Sequence, residues 1–192
     1  MAQDFAVRYE NARRDVLDEL ERALGSVDPA SLERLKDDIL SADQVFFVAV
    51  GRVMLSLQSI CKRLAHLGIR AHYIGEITEP HLNENDLLIV GSGSGASLFP
   101  VAIARKARET VNCRIVHIGS NPESVMKELA DYMVRIPVRT KLYLDDEIDS
   151  CQPMTTLFDQ ALLLLGDILA KMIIEEKQLD MKALWRYHAN ME

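Results

Sequence analysis

Cationic residues are in short supply in this 192-residue chain, where 22 lysines and arginines face 29 aspartates and glutamates for a formal net charge of −7. A nucleic-acid binder needs a basic face to neutralise the phosphate backbone, so that class of partner is not expected. A phosphorylated small molecule stays compatible, because one anion needs only local donors. Cysteine is scarce too. Cys61, Cys113 and Cys151 are odd in number, far apart and without a CxxC pair, which argues against a disulfide framework or a zinc site and for reduced thiols in the cytoplasm. Long apolar runs are also missing. The greasiest stretch, 161–174, is interrupted by Gly166, Asp167 and Lys171 and falls short of the roughly 20 residues that span a bilayer. No membrane span is expected, and the N-terminal segment has no apolar centre of the kind a secretory signal requires.

What is present suits a globular enzyme-sized core: 48% hydrophobic and 27% charged residues fall in the ordinary range for one substantial domain. Phe5, Tyr9, Val16, Leu20 and Leu24 recur at helical spacing before Gly25. A second helix follows from Pro29, with Asp28 as its N-cap. The pattern then changes. "VFFVAV" (45–50) is a continuous β-branched and aromatic run, typical of a strand buried on both faces. "RAHYIG" (70–75), "DLLIVG" (86–91), "CRIVHIG" (113–119) and "YMVRIPV" (132–138) read as further strands. Helices are expected over 55–68, 98–110 and 124–130, then a polar loop over 139–149, a long apolar helix over 155–176 and a short C-terminal helix over 179–192. Strand–helix alternation predicts a parallel sheet covered on both faces, a three-layer α/β/α sandwich. One domain spans 1–192, with N-terminal helices over 1–42, an α/β core over 45–138 and C-terminal helices over 155–192.

Open parallel sheets bind ligands beyond the carboxyl ends of their strands. Two loops qualify, "AVGRVM" (49–54) and "GSGSGAS" (91–97). The second packs three glycines and three serines before a helix, and reads equally as a tight turn or as an anion cradle. It is neither a dinucleotide fingerprint nor a P-loop, since GxGxxG does not fit and no Lys-Ser/Thr follows. The acidic run "LDDEID" (144–149) lacks the alternating oxygens and central glycine of a calcium loop. No metal ligand set is expected.

Four segments carry a resemblance: "RLAHLGIRAHYIGEITEP", "NDLLIVGSGSGAS", "QPMTTLFDQALLLLGDILAKMI" and "RYHANME". Together they resemble the sugar isomerase (SIS) domain family, and within it the single-domain 6-phospho-3-hexuloisomerase branch. The resemblance runs from about Val45 to the C-terminus. It implies a flavodoxin-like five-stranded parallel sheet, assembly as a dimer or tetramer, a phosphorylated sugar as partner and sites built partly from neighbouring subunits. Ser92, Ser94 and Ser97 match the family's phosphate-holding positions, with Gly93 among them. Arg52 matches the basic residue of the first loop, and Glu76 and Thr78 a segment near the sugar. Asp159 matches the catalytic base, which the family usually supplies as Glu, and His188 a histidine near the C-terminus that reaches across a subunit boundary. On residue type alone, Asp159 reads as a dipole-compensating acid, His188 as a packing residue beside Trp185 and Tyr187, and Glu76 as a surface carboxylate.

The chemistry implied is a cofactor-free shift of a ketose carbonyl through an enediol, with a carboxylate moving the proton. Five positions depart from the family pattern. Ala49, Val53 and Met54 replace Gly, Ser and Gly of G-x-G-R-S-G, Ala96 replaces Glu, and Asp159 is one methylene shorter than Glu. These departures keep a second reading open, a non-catalytic SIS module that binds a sugar phosphate as a sensor or regulator.

Overall fold

The computed structural model describes residues 4–191. The sequence readings that include residues 1–3 and 192 lie outside the described residues there. Two amphipathic helices come first, α1 (Phe5–Gly25) and α2 (Pro29–Ser41), and each N-terminus is capped by an aspartate. Asp4 accepts from the Ala6 amide, and Asp28 from the amides of Ala30 and Ser31, with Pro29 at the first helical position.

The chain then alternates: β1 (Val45–Val48), α3 (Gly51–His66), β2 (Ala71–Tyr73), β3 (Leu87–Gly91), α4 (Leu98–Thr110), β4 (Arg114–Gly119), the short α5 (Met126–Leu129) and β5 (Tyr132–Arg135). The five strands form one all-parallel sheet in the order β2-β1-β3-β4-β5. A strap without helix or strand, 136–155, leads to α6 (Thr156–Glu176) and a final 3-10 turn, Ala183–Tyr187. The expected five-stranded flavodoxin-like sandwich is the fold observed.

Side-chain alternation along the strands builds the three layers. Val45, Phe47, Leu87, Ile89, Val116 and Ile118 face a core shared with α1, α2, α3 and α6. Phe46, Val48, Leu88, Val90 and Ile115 face the opposite core, under α4 and α5. Because both faces are covered, β1 and β3 are buried along their whole length, which is why they read as unbroken apolar runs.

Several boundaries differ from the sequence expectation. Strand β1 ends two residues early, and α3 starts at Gly51 rather than near Leu55. Gly51 has φ +60°, a left-handed turn that lets the helix begin at once and places Arg52 and Val53 in its first turn. Strand β5 ends at Arg135 because Pro137 has no amide to continue the ladder. The C-terminal segment is a single 3-10 turn, after which His188 returns to extended backbone.

Helices α3 and α6 pack closest where α6 carries Gly166. A Cβ there would fall 2.2 Å from Ile60 Cγ1, so the glycine is what lets the helices approach. Gly→Ala inside a helix gains about 1 kcal/mol of propensity, but overpacking a core contact costs about 1–3 kcal/mol. Gly166→Ala is therefore expected to lower stability by about 1–2 kcal/mol in urea denaturation. Gly25→Ala, at a site with nothing within 4 Å of the new methyl, is expected to leave it unchanged or slightly raised.

Candidate active site

The sheet order itself creates a crevice. Strands β1 and β3 are neighbours, yet β1 leads into α3 on one face and β3 into α4 on the other. The two loops part at their carboxyl ends, the switch point where open α/β sheets bind ligands. A cleft of about 500 Å³ opens there, lined by segments 50–53, 91–94 and 153–156 together with Ser97, Thr140, Lys141, Phe158 and Asp159. A somewhat larger concavity of about 600 Å³ lies at the other end of the sheet, among Asp38, Asp86, Arg108, Arg114 and Asp131. Helix C-termini, those of α2 and α4, converge on it, and their dipoles carry the wrong sign for an anion.

Among the five long helices, capping separates those at the cleft from those away from it. Away from it, α1 and α2 are capped by aspartates. At the cleft, α3, α4 and α6 start behind Val50, Ser97 and Thr155, and none has a side-chain cap bond. A side-chain cap contributes about 1 kcal/mol. Three helices thus forgo that stabilisation at one place and aim positive dipole ends and amides at a shared space, as an anion site requires.

The loop 91–97 is shaped by its glycines and tied from behind. Gly95 has φ +63°, and a Cβ on it would lie 2.1 Å from Ser124 Oγ. The Ser92 carbonyl accepts from the Gly95 amide and from His117 Nε2 at 2.9 Å. The Gly93 carbonyl accepts from the amides of Ser120 and Asn121. With these acceptors engaged against β4, the donors that remain for the cleft are hydroxyls and amides. Ser92 and Ser94 are buried, and Ser92 Oγ donates to Ser97 Oγ at 3.2 Å. His117, buried in β4, is held neutral because burial lowers its pKa more than the bond to Ser92 raises it. Its Nε2 carries the proton, since a carbonyl can only accept.

Opposite the loop stands Asp159, in the first turn of α6 and 3% exposed. Its Oδ2 accepts from Arg52 Nε at 3.1 Å, while Oδ1 has no hydrogen-bond partner among the described residues. Burial raises its pKa, and Arg52 pulls it partly back through the hydrogen bond and charge. Arg52 itself is largely exposed, so solvent screens the pair and much of the burial effect survives. Ser56 Oγ, one turn along α3, donates to the Asp159 carbonyl at 2.8 Å and fixes α6 against α3. The site therefore combines uncapped helix N-termini and serine hydroxyls with a buried carboxylate whose pKa is raised. Among the described residues no group of three His, Cys, Asp or Glu side chains is placed to hold a metal ion, and no helix is long and apolar enough to cross a membrane.

Arg52, Ser92, Gly93, Ser94, Ser97 and Asp159 are thus brought together, and three other candidates are not. Glu76 follows β2 and pairs with His72 Nδ1 at 2.7 Å. Thr78 is exposed beside it. His188 stacks on His66 at 5.1 Å, at the far end of α3 from Arg52, and the fourteen helical steps between residues 52 and 66 span about 21 Å. The sequence reading missed Thr140 and Lys141, which the strap carries to the cleft. Two carboxylates position the strap. Glu147 accepts from Ser120 Oγ, the Thr140 amide and hydroxyl, and the Leu144 amide. Glu19, buried on α1, accepts from Ser150 Oγ, the Cys151 amide and Gln152 Nε2.

A five-stranded sheet with this order, a serine-glycine loop at the switch point and a buried carboxylate across from it define a sugar isomerase (SIS) domain, and solved structures of that kind share the fold. No protein-family profile matches the chain. A Bacillus subtilis protein named 3-hexulose-6-phosphate isomerase is 36% identical over 178 residues, 93% of this chain and 96% of that one. A Mycobacterium gastri protein of the same name is 33% identical over 92% of this chain and 88% of its own length. A Methanococcus jannaschii protein, for which a 3-hexulose-6-phosphate isomerase function was inferred from its crystal structure, superposes with a TM-score of 0.80 at 28% identity, over 95% of this chain and 99% of that one. The chain belongs to the 3-hexulose-6-phosphate isomerase family.

The Glu19 anchor generates a stability prediction. Burial opposes its ionisation, but the hydrogen bonds from Ser150, Cys151 and Gln152 outweigh burial and hold the carboxyl at about 2, against an ordinary 4.5. A depressed folded-state pKa stabilises the fold above pH 4.5, and that stabilisation is lost as pH falls towards 2. Glu19→Ala is expected to cost about 2–4 kcal/mol at pH 7 by stranding the strap's buried donors. The variant should also lose stability less steeply than wild type between pH 4.5 and 2 in urea titrations.

Proposed function

We propose that this chain, as a single sugar isomerase domain working in the cytoplasm, catalyses the cofactor-free isomerisation of a hexulose 6-phosphate by moving the carbonyl between C3 and C2. The observation that carries this reading is the buried Asp159 carboxylate, one oxygen unpartnered among the described residues, lining the same cleft as the serine-glycine loop.

Ser92, Ser94 and Ser97, with the N-terminus of α4, bind the phosphate and so orient the sugar carbons. Asp159 removes the proton from C2 as the C3 carbonyl becomes an enediol oxygen. The same carboxyl then returns a proton to C3 while the carbonyl re-forms at C2, so no redox partner is needed. Its raised pKa suits the task, because a carboxylate that binds protons more tightly is a stronger base. Arg52 keeps that carboxylate ionised and presents a cation to the oxygen on which charge develops.

His188, stacked on His66 at the far end of α3, lies too far from the cleft of its own chain to serve it. Its proposed role, assistance in opening the sugar ring, requires a dimer or tetramer in which one chain completes the site of another, and the Glu76–Thr78 segment, half-buried at Glu76 and exposed at Thr78, is assigned to the same assembled site. A purely sensing module has no use for a carboxylate whose burial raises its basicity, and this favours the isomerase over the regulator.

Asp159→Asn is expected to lower isomerisation by roughly 10²- to 10⁴-fold while retaining sugar-phosphate affinity within about threefold, measured by coupled turnover assay and calorimetry. Undiminished turnover in this variant would remove Asp159 as the base. Because the base must be ionised, kcat/KM should fall as pH drops through the Asp159 pKa, at a pH above that of an ordinary aspartate. Arg52→Gln removes the group that lowers this pKa, so the acid limb of its pH profile should move to higher pH.

A further inference from the structure

The isomerase reading leaves a charge problem in the cleft. A phosphate monoester carries nearly two negative charges at neutral pH. Arg52 is already committed to Asp159, and transferring it to the phosphate would strip the base of its counter-charge. Hydroxyls and helix N-termini supply only partial positive charge. Among the described residues that line the cleft, Lys141 is the other cation.

The strap holds Lys141 there by a built framework. Thr140, buried at 3% exposure, lies directly over the serine-glycine loop: a Cβ on Gly93 would come within 3.2 Å of the Thr140 methyl. Glu147 fixes that backbone by accepting from both the Thr140 amide and its hydroxyl, at 3.0 and 2.8 Å. Of the neighbouring acids, Asp146 pairs with Arg135 and Asp149 with Arg139, while Asp145 is exposed and makes no ion pair with Lys141. Lys141 makes no ion pair with any described residue, and its side chain is exposed at the mouth of the cleft.

From this placement we infer that Lys141 binds the phosphate of the substrate, as the counter-cation that lets Arg52 remain on Asp159; the inference rests on the isomerase reading of the cleft. It makes Lys141 a determinant of specificity for phosphorylated over free sugar, carried by the strap rather than by either sheet loop.

The test uses the full chain and the variants Lys141→Met and Lys141→Arg. Binding is measured for fructose 6-phosphate (a 2-ketohexose 6-phosphate), for fructose and for inorganic phosphate, and KM and kcat are measured for the isomerisation. K141M is expected to weaken both phosphate-bearing ligands by about 10- to 100-fold and to raise KM alike. It should leave kcat within about threefold and fructose binding unchanged, and K141R should recover most of the loss. Should K141M fail to fold, the Lys141 side-chain NMR resonance of the wild type decides, and it is expected to shift on saturation with inorganic phosphate. An unshifted resonance, or unchanged phosphate affinity and KM in K141M beside an active wild type, overturns this inference and leaves the isomerase reading intact. A wild type that neither binds nor converts hexulose phosphates overturns the isomerase reading itself.

Discussion

Everything at the cleft depends on the contact between α3 and α6. These helices are about a hundred residues apart in sequence, and both begin at the same edge of the sheet. Gly166 lets them close on Ile60, Ser56 joins the Asp159 carbonyl, and Arg52 reaches the Asp159 carboxylate. One helix is positioned by β1 directly. The other arrives after the strap and has no strand of its own, so its register is set by its packing and hydrogen bonds against α3. A half-turn error on α6 would turn Asp159 from the cleft into the apolar core. The burial of Asp159 and its place at the cleft are therefore a single requirement.

The cleft also shows where the fold gives up stability. Caps are made at α1 and α2, where they serve only the helices, and are missing at α3, α4 and α6, where amides face the ligand space. Asp159 adds a second cost, since a buried carboxylate oxygen without a donor is unfavourable until something fills the space beside it. Strong interactions elsewhere offset these costs. The Glu19 and Glu147 carboxylates gather donors from the strap, and two apolar cores cover both faces of the sheet.

The sheet was legible because its central strands are buried on both faces, which leaves apolar runs such as Phe46–Val48 and Leu87–Val90. The serine-glycine loop was legible as a candidate, since few other contexts place so many glycines and serines between a strand and a helix. Other features depend on contacts no local pattern records. The early start of α3 follows from the φ +60° turn at Gly51, which a sequence shows only as one more glycine. Glu19 looks like an ordinary acid on an amphipathic helix, and its partners lie 131 to 133 residues away. The acidic run over 145–149 reads as solvated, and three of its residues do pair at the surface or lie open, but Glu147 turns inward. Only the folded strap distinguishes it from its neighbours.

The departures from the family pattern gain a physical meaning in this setting. Val53 stands where a hydroxyl is usual, yet its side chain packs against Gly91, where a Cβ would come within 3.0 Å of Val53 Cγ1. It lines the cleft beside the first glycine of the serine-glycine loop. The shorter Asp159 sets its carboxylate back by about one bond length, 1.5 Å, and Arg52, in the first turn of α3, reaches it there. With Arg52 held on Asp159, the serine-glycine hydroxyls and the strap residues Thr140 and Lys141 are among the other polar groups that line the cleft.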